Sequence, residues 1–243
     1  MRIIKLNATD STNTYLKNLV RQNQLDDFTT VVTLEQSKGK GQMGASWEAE
    51  PGKNLTFSTL KKFDDLSVTD GFLLNSCASI AISNALKRFS IPNLHVKWPN
   101  DILSGSSKIC GILIENLLVG SQIQSSILGI GLNVNQQTFN NLSNASSLKL
   151  LLGRTLNLEE LLFNIVKQLK INFAKIEANK SKELWDAYVK TLFRKDKPST
   201  FKDATGLVFM GFIRTISPQG KLVVALEDDI LKEFDLKEIQ LLY

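Results

Sequence analysis

Thr29-Thr30-Val31-Val32-Thr33-Leu34 runs directly into Glu35-Gln36-Ser37-Lys38-Gly39-Lys40-Gly41-Gln42-Met43-Gly44-Ala45-Ser46-Trp47. The first segment is rich in β-branched side chains and predicts a strand. The second sets glycines among polar and basic residues and closes on an aromatic. Glycine lets backbone N–H groups approach a ligand closely, and successive N–H groups beside lysines suit an anion, most often a phosphate. The plain alternative for such a run on its own is a surface loop. The run lacks the lysine-serine or lysine-threonine ending of a P-loop, and its glycine spacing is not the dinucleotide one. Asn54 to Leu60 resumes as a strand with Leu55, Phe57 and Thr59 on one face, so the glycine run is a long excursion between two strands.

Working outward, Arg2 to Leu6 reads as a short strand, and Thr9 or Asp10 can cap a helix running to about Gln22 on an apolar face of Tyr15, Leu16, Leu19 and Val20. Thr69 or Asp70 opens a long helix to about Arg88. Its apolar face includes Phe72, Leu73, Ile80 and Leu86, with Ala78, Ala81 and Ala85 permitting close packing. Strands follow at Leu94 to Trp98, Lys108 to Leu118 and Gln122 to Val134. A tight turn at Ser104 to Ser107 precedes Lys108, and a hairpin turn spans Val119, Gly120 and Ser121. Asn157 caps a helix that begins at Leu158 with Glu159 and Glu160 in its first turn. Helical pattern continues, broken near Ala178 to Lys182, to about Phe193. After Pro198 short strand-like segments dominate: Ser199 to Lys202, Gly206 to Ile216, Lys221 to Leu226 and Leu231 to Asp235. They suggest a small β-barrel of roughly 45 residues.

The chain has 243 residues, 43% of them apolar and 22% charged, which suits one sizeable core in an ordinary globular protein. Its net charge of +5 is too mild to argue for nucleic-acid binding and fits an anionic substrate or an acidic protein partner. Cys77 and Cys110 show no metal-ligand spacing and read as buried free thiols. The single histidine, His95, alternates with Leu94 and Val96 in a strand-like run, is expected to face solvent, and makes a zinc site or a histidine-based triad a poor reading. The first ten residues lack the long apolar region of a signal peptide, and no stretch approaches the ~20 apolar residues of a membrane span, so cytoplasm is the default location.

Five segments in order resemble the biotin protein ligase family, the biotin–[biotin carboxyl-carrier protein] ligases. They are Asp10-Ser11-Thr12-Asn13; Glu35-Gln36 with Gly39 to Gly44 and Trp47; Lys97-Trp98-Pro99-Asn100-Asp101; Lys108-Ile109-Cys110-Gly111-Ile112-Leu113-Ile114-Glu115; and Gly129-Ile130-Gly131-Leu132-Asn133-Val134-Asn135. Each is weak alone; together they are hard to obtain by chance. The resemblance implies an α+β catalytic domain over residues 1–195, a mixed and largely antiparallel sheet flanked by helices, with a small SH3-like β-barrel over 196–243. The chain begins directly at the catalytic segment, so the resemblance is to the monofunctional type without the DNA-binding winged helix. It implies ATP and Mg²⁺ as cofactors and biotin as substrate. Biotin is activated as biotinyl-5′-AMP and transferred to a lysine of a biotin carboxyl carrier protein, with no DNA and no membrane as partner. The oligomeric state stays open, a homodimer included.

Carried over residue by residue, the resemblance makes Lys108 the catalytic cation, touching the biotin carboxylate and the α-phosphate. Ser11, Thr12, Asn13, Gln36, Gly39, Lys40, Gly41, Gln42, Lys108 and Gly111 are the expected biotin-binding set. Lys40, Gln42, Trp47, Lys97, Asn100, Lys108 and Asn133 are the expected nucleotide-binding set. Asp101 would help place Mg²⁺ or orient Lys97, with a structural role as its competitor. Capping competes at Ser11 to Asn13, and core packing competes at Trp47 and Trp98. The chain departs from the family pattern where many members carry arginines, at Lys40, Gln42 and Ala45. Lys40 keeps the charge without the guanidinium fork, and Gln42 keeps hydrogen bonding without charge, which implies looser retention of the adenylate. A lipoate–protein ligase or octanoyltransferase is the competing enzyme reading, but the Arg-Arg…Gly-Gly-Gly run of those families is not present. A module that binds biotin or a nucleotide without turnover is the non-enzymatic alternative.

Overall fold

The computed structural model describes residues 2–139 and 144–243. β1 (Ile3–Thr9) leads into helix α1 (Thr12–Gln22) and then β2 (Thr30–Gln36), which lies parallel to β1 with Thr9 opposite Gln36. β3 (Leu55–Lys62), helix α2 (Gly71–Lys87), β4 (Leu94–Lys97), β5 (Asp101–Ser104), β6 (Ser107–Val119) and β7 (Gln122–Leu132) complete a seven-stranded sheet in the order β1-β2-β3-β7-β6-β5-β4. Every pairing after the first is antiparallel. The mixed sheet flanked by helices is the expected one.

Its two faces are unequal. On one, Leu16 of α1 forms a small core with Leu25, Val31, Leu60 and Ile127. On the other, α2 joins α4 (Leu158–Glu177) and α5 (Ser181–Lys190) over a large core that includes Phe57, Ile112 and Leu128. α2 buries Leu74, Cys77, Ile82 and Leu86 as well as its alanines. A helix wedged between a sheet and two other helices is apolar over most of its circumference, which is why a single-stripe reading overlooked Leu74 and Ile82. Period-2 alternation divides β3 as expected, with Leu55 and Phe57 in the large core and Leu60 in the small one. Both cysteines are free and buried.

Several boundaries differ from expectation. β1 continues through Thr9 because its parallel pairing with β2 runs that far, which moves the α1 cap from Thr9 or Asp10 to Ser11. β5 lies hidden in the turn-rich Asp101–Ser104. A one-turn helix α3 (Leu148–Leu152) was not anticipated, although its signals stand in the sequence: Ser147 caps the Leu150 N–H, and Gly153 closes it in the left-handed region at φ 69°. His95 is half-buried rather than solvent-facing, its ring 5.9 Å from that of Phe193. Burial and the nearby Lys197 charge lower its pKa.

Beyond α5, β8 (Pro198–Asp203), β9 (Val208–Ile216), β10 (Leu222–Ala225), β11 (Leu231–Phe234) and β12 (Ile239–Leu242) form a second, antiparallel sheet in the order β11-β10-β9-β8-β12. Its interior is a run of stacked rings, Phe201 on Phe209 at 5.6 Å and Phe209 on Phe234 at 5.8 Å. Two hydrogen bonds fasten the segment between β4 and β5 to its surroundings. The Trp98 indole N–H donates to the Gly220 carbonyl at 2.8 Å, and the Tyr188 hydroxyl donates to the Pro99 carbonyl at 2.8 Å.

The α1 face has few buried side chains to share the load, so truncation there should be felt fully. Leu16→Ala is expected to destabilise the protein by about 2–5 kcal/mol, read as a lowered urea midpoint at unchanged slope.

Candidate active site

The site lies on the α1 face of the sheet, in a cavity of about 210 Å³ between the start of α1, the glycine loop and the floor formed by β6 and β7. Glycines on alternate positions make that floor. A Cβ at Gly129 would fall 2.3 Å from Asn13 Oδ1, and one at Gly131 would fall 2.3 Å from Trp47 Cε2. Leu128, Ile130 and Leu132, between and beside them, point into the large core on the opposite face. The strand can therefore floor a cavity on one side while anchoring the sheet on the other.

Lys108 reaches this face through a β-bulge. Ile102 pairs with Cys110, but Leu103 pairs with Lys108, so β6 carries one extra residue there. In a regular strand Lys108 and Gly111, an odd number of residues apart, would point to opposite faces. The bulge brings them together: Lys108 Cε lies 3.5 Å from the position a Gly111 Cβ would take. The ammonium is 2.7 Å from Asp101 Oδ1 and 5.7 Å from the centre of the Trp47 ring. Main-chain bonds fix the strand at this point. The Lys108 N–H donates to the Asn144 carbonyl at 2.6 Å, and the Lys108 carbonyl accepts from the Ser146 N–H at 3.0 Å.

The glycine loop is a folded hairpin. Trp47 N–H donates to the Gly39 carbonyl at 2.9 Å, and Gly41 N–H to the Ala45 carbonyl at 2.7 Å. Those two amides are spent on the hairpin itself, which narrows the anion-binding capacity expected of the run. In return the hairpin folds Trp47 back over the glycine floor. The indole N–H there is buried and has no protein partner. Lys40 stands at the rim, its ammonium 3.0 Å from Thr14 Oγ1.

A polar network forms the wall at the α1 end. Gln36 Oε1 accepts the Thr12 N–H at 2.8 Å and so caps α1 from the neighbouring strand. The Ser58 hydroxyl lies 2.7 Å from Thr12 Oγ1 and 2.6 Å from Asn13 Oδ1. The Asn13 amide donates to Glu115 Oε2 at 2.9 Å and to the Leu113 carbonyl at 3.3 Å, and Lys17 donates to Glu115 Oε1 at 3.1 Å. Burial pushes the Glu115 pKa up, but the Asn13 and Lys17 hydrogen bonds with the Lys17 and Lys40 charges outweigh it and hold it below the ordinary value.

The structure thus brings together Ser11, Thr12, Asn13, Gln36, Lys40, Gly41, Gln42, Trp47, Asn100, Asp101, Lys108 and Gly111 around one cavity. Gly39 sits just behind it, where a Cβ would fall 2.2 Å from the Trp47 carbonyl. Two expected nucleotide residues do not line the cavity. Lys97 lies toward the second sheet, 4.9 Å over the Tyr243 ring, and burial, with repulsion from Lys108, lowers its pKa against the opposing pull of Asp101. Asn133 is buried and donates to the Ser146 carbonyl at 3.0 Å, supporting the strand beside Lys108. Asn100 spends its amide on the Ile112 carbonyl at 2.6 Å. The salt bridge of Asp101 is to Lys108 rather than to Lys97. Ser58, Glu115, Gly129 and Gly131 were not anticipated as site residues. The two glycines and Glu115 stand in segments that carry the family resemblance, whereas Ser58 left no signal in the sequence.

Residues 6–133 match the biotin/lipoate A/B protein ligase family. The biotin–[acetyl-CoA-carboxylase] ligase of Paracoccus denitrificans is 33% identical over 131 residues, covering 53% of each chain. The bifunctional ligase/repressor BirA of Bacillus subtilis is 32% identical over 132 residues, 54% of this chain and 39% of that protein. The chain thus spans about half the length, or less, of these curated relatives. A biotin protein ligase of Aquifex aeolicus solved with biotin and ATP superposes with a TM-score of 0.80 at 25% identity, over 99% of this chain and 98% of that one.

The indole packed on the floor makes a direct test of the cavity's construction. Gly131→Ala is expected to leave the protein folded, because a ring can turn where a strand cannot, and to expel Trp47. The expulsion should show as a red shift of tryptophan emission that Trp47→Phe removes.

Proposed function

The chain belongs to the biotin/lipoate A/B protein ligase family, and within it we propose an ATP-dependent biotin–protein ligase. The observation that carries the reading is Lys108, turned by a bulge onto a glycine-floored cavity beneath a tryptophan-bearing hairpin. The likeness to a ligase solved with biotin and ATP supports it over nearly the whole chain. In the first step a biotin carboxylate oxygen attacks the α-phosphorus of ATP. A phosphorus–oxygen bond forms, pyrophosphate leaves, and biotinyl-5′-AMP results. In the second a lysine amine of the carrier attacks the acyl carbon of that anhydride, a proton is lost, and AMP leaves.

Both substrates of the first step are anions, so a fixed cation between them is the main requirement. Lys108 supplies it as a compact ammonium, and Asp101 orients that ammonium by its 2.7 Å pairing. Gln36, Thr12 and Ser11 provide polar contacts for the ureido ring. The glycine floor seats Asn13 and the Trp47 indole low enough to leave the cavity open for the ring system, with Lys40, Gln42 and Trp47 at the nucleotide end. Asn13 and Asn100, whose amide hydrogens are engaged within the protein, act as supports. Closure matters because the anhydride hydrolyses once water reaches it. Asp101 is the one carboxylate lining the cavity and is already paired, and no cluster of three or more metal-ligating side chains occurs among the described residues. That set does not build a Mg²⁺ site of its own, so the ion is read as part of the MgATP substrate.

The reading extends to organisation. Residues 1–195 form the catalytic domain and 196–243 an SH3-like cap, supported by the change from the mixed sheet to the second antiparallel sheet. The Leu113–Val119 part of β6 pairs with β7 alone among the described residues, beside the glycine hairpin. It is a sheet edge on which a carrier domain can present its lysine by strand pairing. The net charge of +5 favours an acidic carrier. No helix among the described residues is long and apolar enough to cross a membrane, in keeping with a cytoplasmic reaction.

The deciding experiment incubates the protein with ATP, Mg²⁺, a biotin-carrier domain and either biotin or lipoate, and reads the carrier by intact mass. A biotin-sized gain is expected, with Lys108→Ala slowing it on the order of 10²–10³-fold. A lipoate-sized gain instead would overturn the substrate. Gln42→Arg is expected to slow release of preformed adenylate severalfold by adding a guanidinium at the cavity; equal release rates would show that Gln42 costs nothing.

A further inference from the structure

Hydrogen counting gives the network at the α1 end of the cavity a direction. Asn13 Oδ1 can only accept, so the single Ser58 hydroxyl hydrogen is committed to it across 2.6 Å. The 2.7 Å contact between Ser58 and Thr12 must then be completed by the Thr12 hydroxyl hydrogen. Thr12 Oγ1 also lies 3.1 Å from Gln36 Oε1, the longest of the three contacts and the one for which no hydrogen remains, so Thr12 keeps a lone pair open to the cavity. Gln36 Oε1 is held by the Thr12 N–H, which leaves the Gln36 amide hydrogens free to donate. The wall therefore offers an acceptor at Thr12 and donors at Gln36.

That direction depends on which way the Asn13 amide points, and of its two acceptors the nearer and charged one, Glu115 at 2.9 Å against the Leu113 carbonyl at 3.3 Å, dominates the choice. The carboxylate can only accept, so Asn13 must turn its nitrogen toward Glu115 and its oxygen toward Ser58. With the amide flipped, oxygen would face oxygen across 2.9 Å. Lys17 at 3.1 Å, and Lys40 at longer range, keep the carboxylate charged and facing inward. In the flipped state the Asn13 nitrogen would donate to Ser58, Ser58 to Thr12 and Thr12 to Gln36, and a lone pair of Thr12 would be consumed.

We propose that Glu115 is a positioning residue. Acting through Asn13 and Ser58, it fixes Thr12 as a hydrogen-bond acceptor, so that the cavity selects a ring presenting an N–H donor there. This rests on the ligase reading above, in which that ring is the cyclic urea of biotin.

Calorimetry with biotin alone tests it, alongside the two analogues in which one ureido N–H is replaced by a ring oxygen. The wild type is expected to prefer biotin over one of these analogues by about tenfold, the worth of one hydrogen bond to a poised acceptor. Glu115→Met, which keeps the bulk and removes the acceptor, is expected to weaken biotin binding by about as much and to reduce that preference below ~3-fold. Ser58→Ala, which cuts the chain one link nearer Thr12, should reproduce this. Glu115→Gln, which can still present an oxygen to Asn13, should restore both affinity and preference. The KM for ATP and the melting temperature should stay near wild type in the Gln variant. Retention of the wild-type preference by Glu115→Met, whatever its absolute affinity, overturns the inference. So does a Gln variant indistinguishable from Met. A wild-type protein that does not bind biotin at all overturns the ligase reading instead, and the ligand named here falls with it.

Discussion

The structure turns on side-chain atoms that are missing. Where β6 and β7 pass beneath the start of α1, Gly129 and Gly131 let Asn13 and Trp47 settle into space that a single methyl group would fill. The depth of the cavity and the seat of the indole take their height from this close approach. Loops on the surface can be rearranged by small torsions, but a strand in mid-sheet cannot be lowered without breaking its ladder. The floor is therefore the rigid reference, and the hairpin and helix are fitted to it.

The two faces of the sheet divide the labour. The large core under α2, α4 and α5 supplies most of the buried apolar surface and hence most of the stability. The α1 face carries a small core and then gives way to a polar network that holds the wall of the cavity. Buried polar groups are costly unless each finds a partner, and here nearly every one does: Thr12, Asn13, Ser58 and Glu115 satisfy one another. The exception is the Trp47 indole N–H, left unpaired where a ligand would lie.

Much of this was legible in the chain. The alternation in β3, the Asn157 cap, the break before α5 and the change of texture after Pro198 gave the main elements, because each rests on a local period or a local cap. Local signals failed where pairing decides the structure. β5 is four residues in a turn-rich motif and exists because β4 and β6 flank it. Thr9 belongs to a strand rather than to a helix cap because β2 continues beside it. In the site, the residue types that contact the cavity were found through the family pattern. The supports were not: Ser58 reads as an ordinary strand serine, and Glu115 only as the last residue of a family segment within a strand, until the chain brings them to Asn13 from 45 and 102 residues away. The bulge at Lys108 was the least legible feature, since no residue type demands it.

The fastening of the second sheet has a mechanical consequence. Trp98 grips the Gly220 carbonyl and Tyr188 grips the Pro99 carbonyl, so the peptide between β4 and β5 is clamped from both sides. Asn100 and Asp101 follow directly, and Asp101 is the partner of the Lys108 ammonium. The clamp is a short lever with its far arm in the turn after β9. The second sheet and the central cation are thereby held to one short run of chain, Trp98 to Asp101.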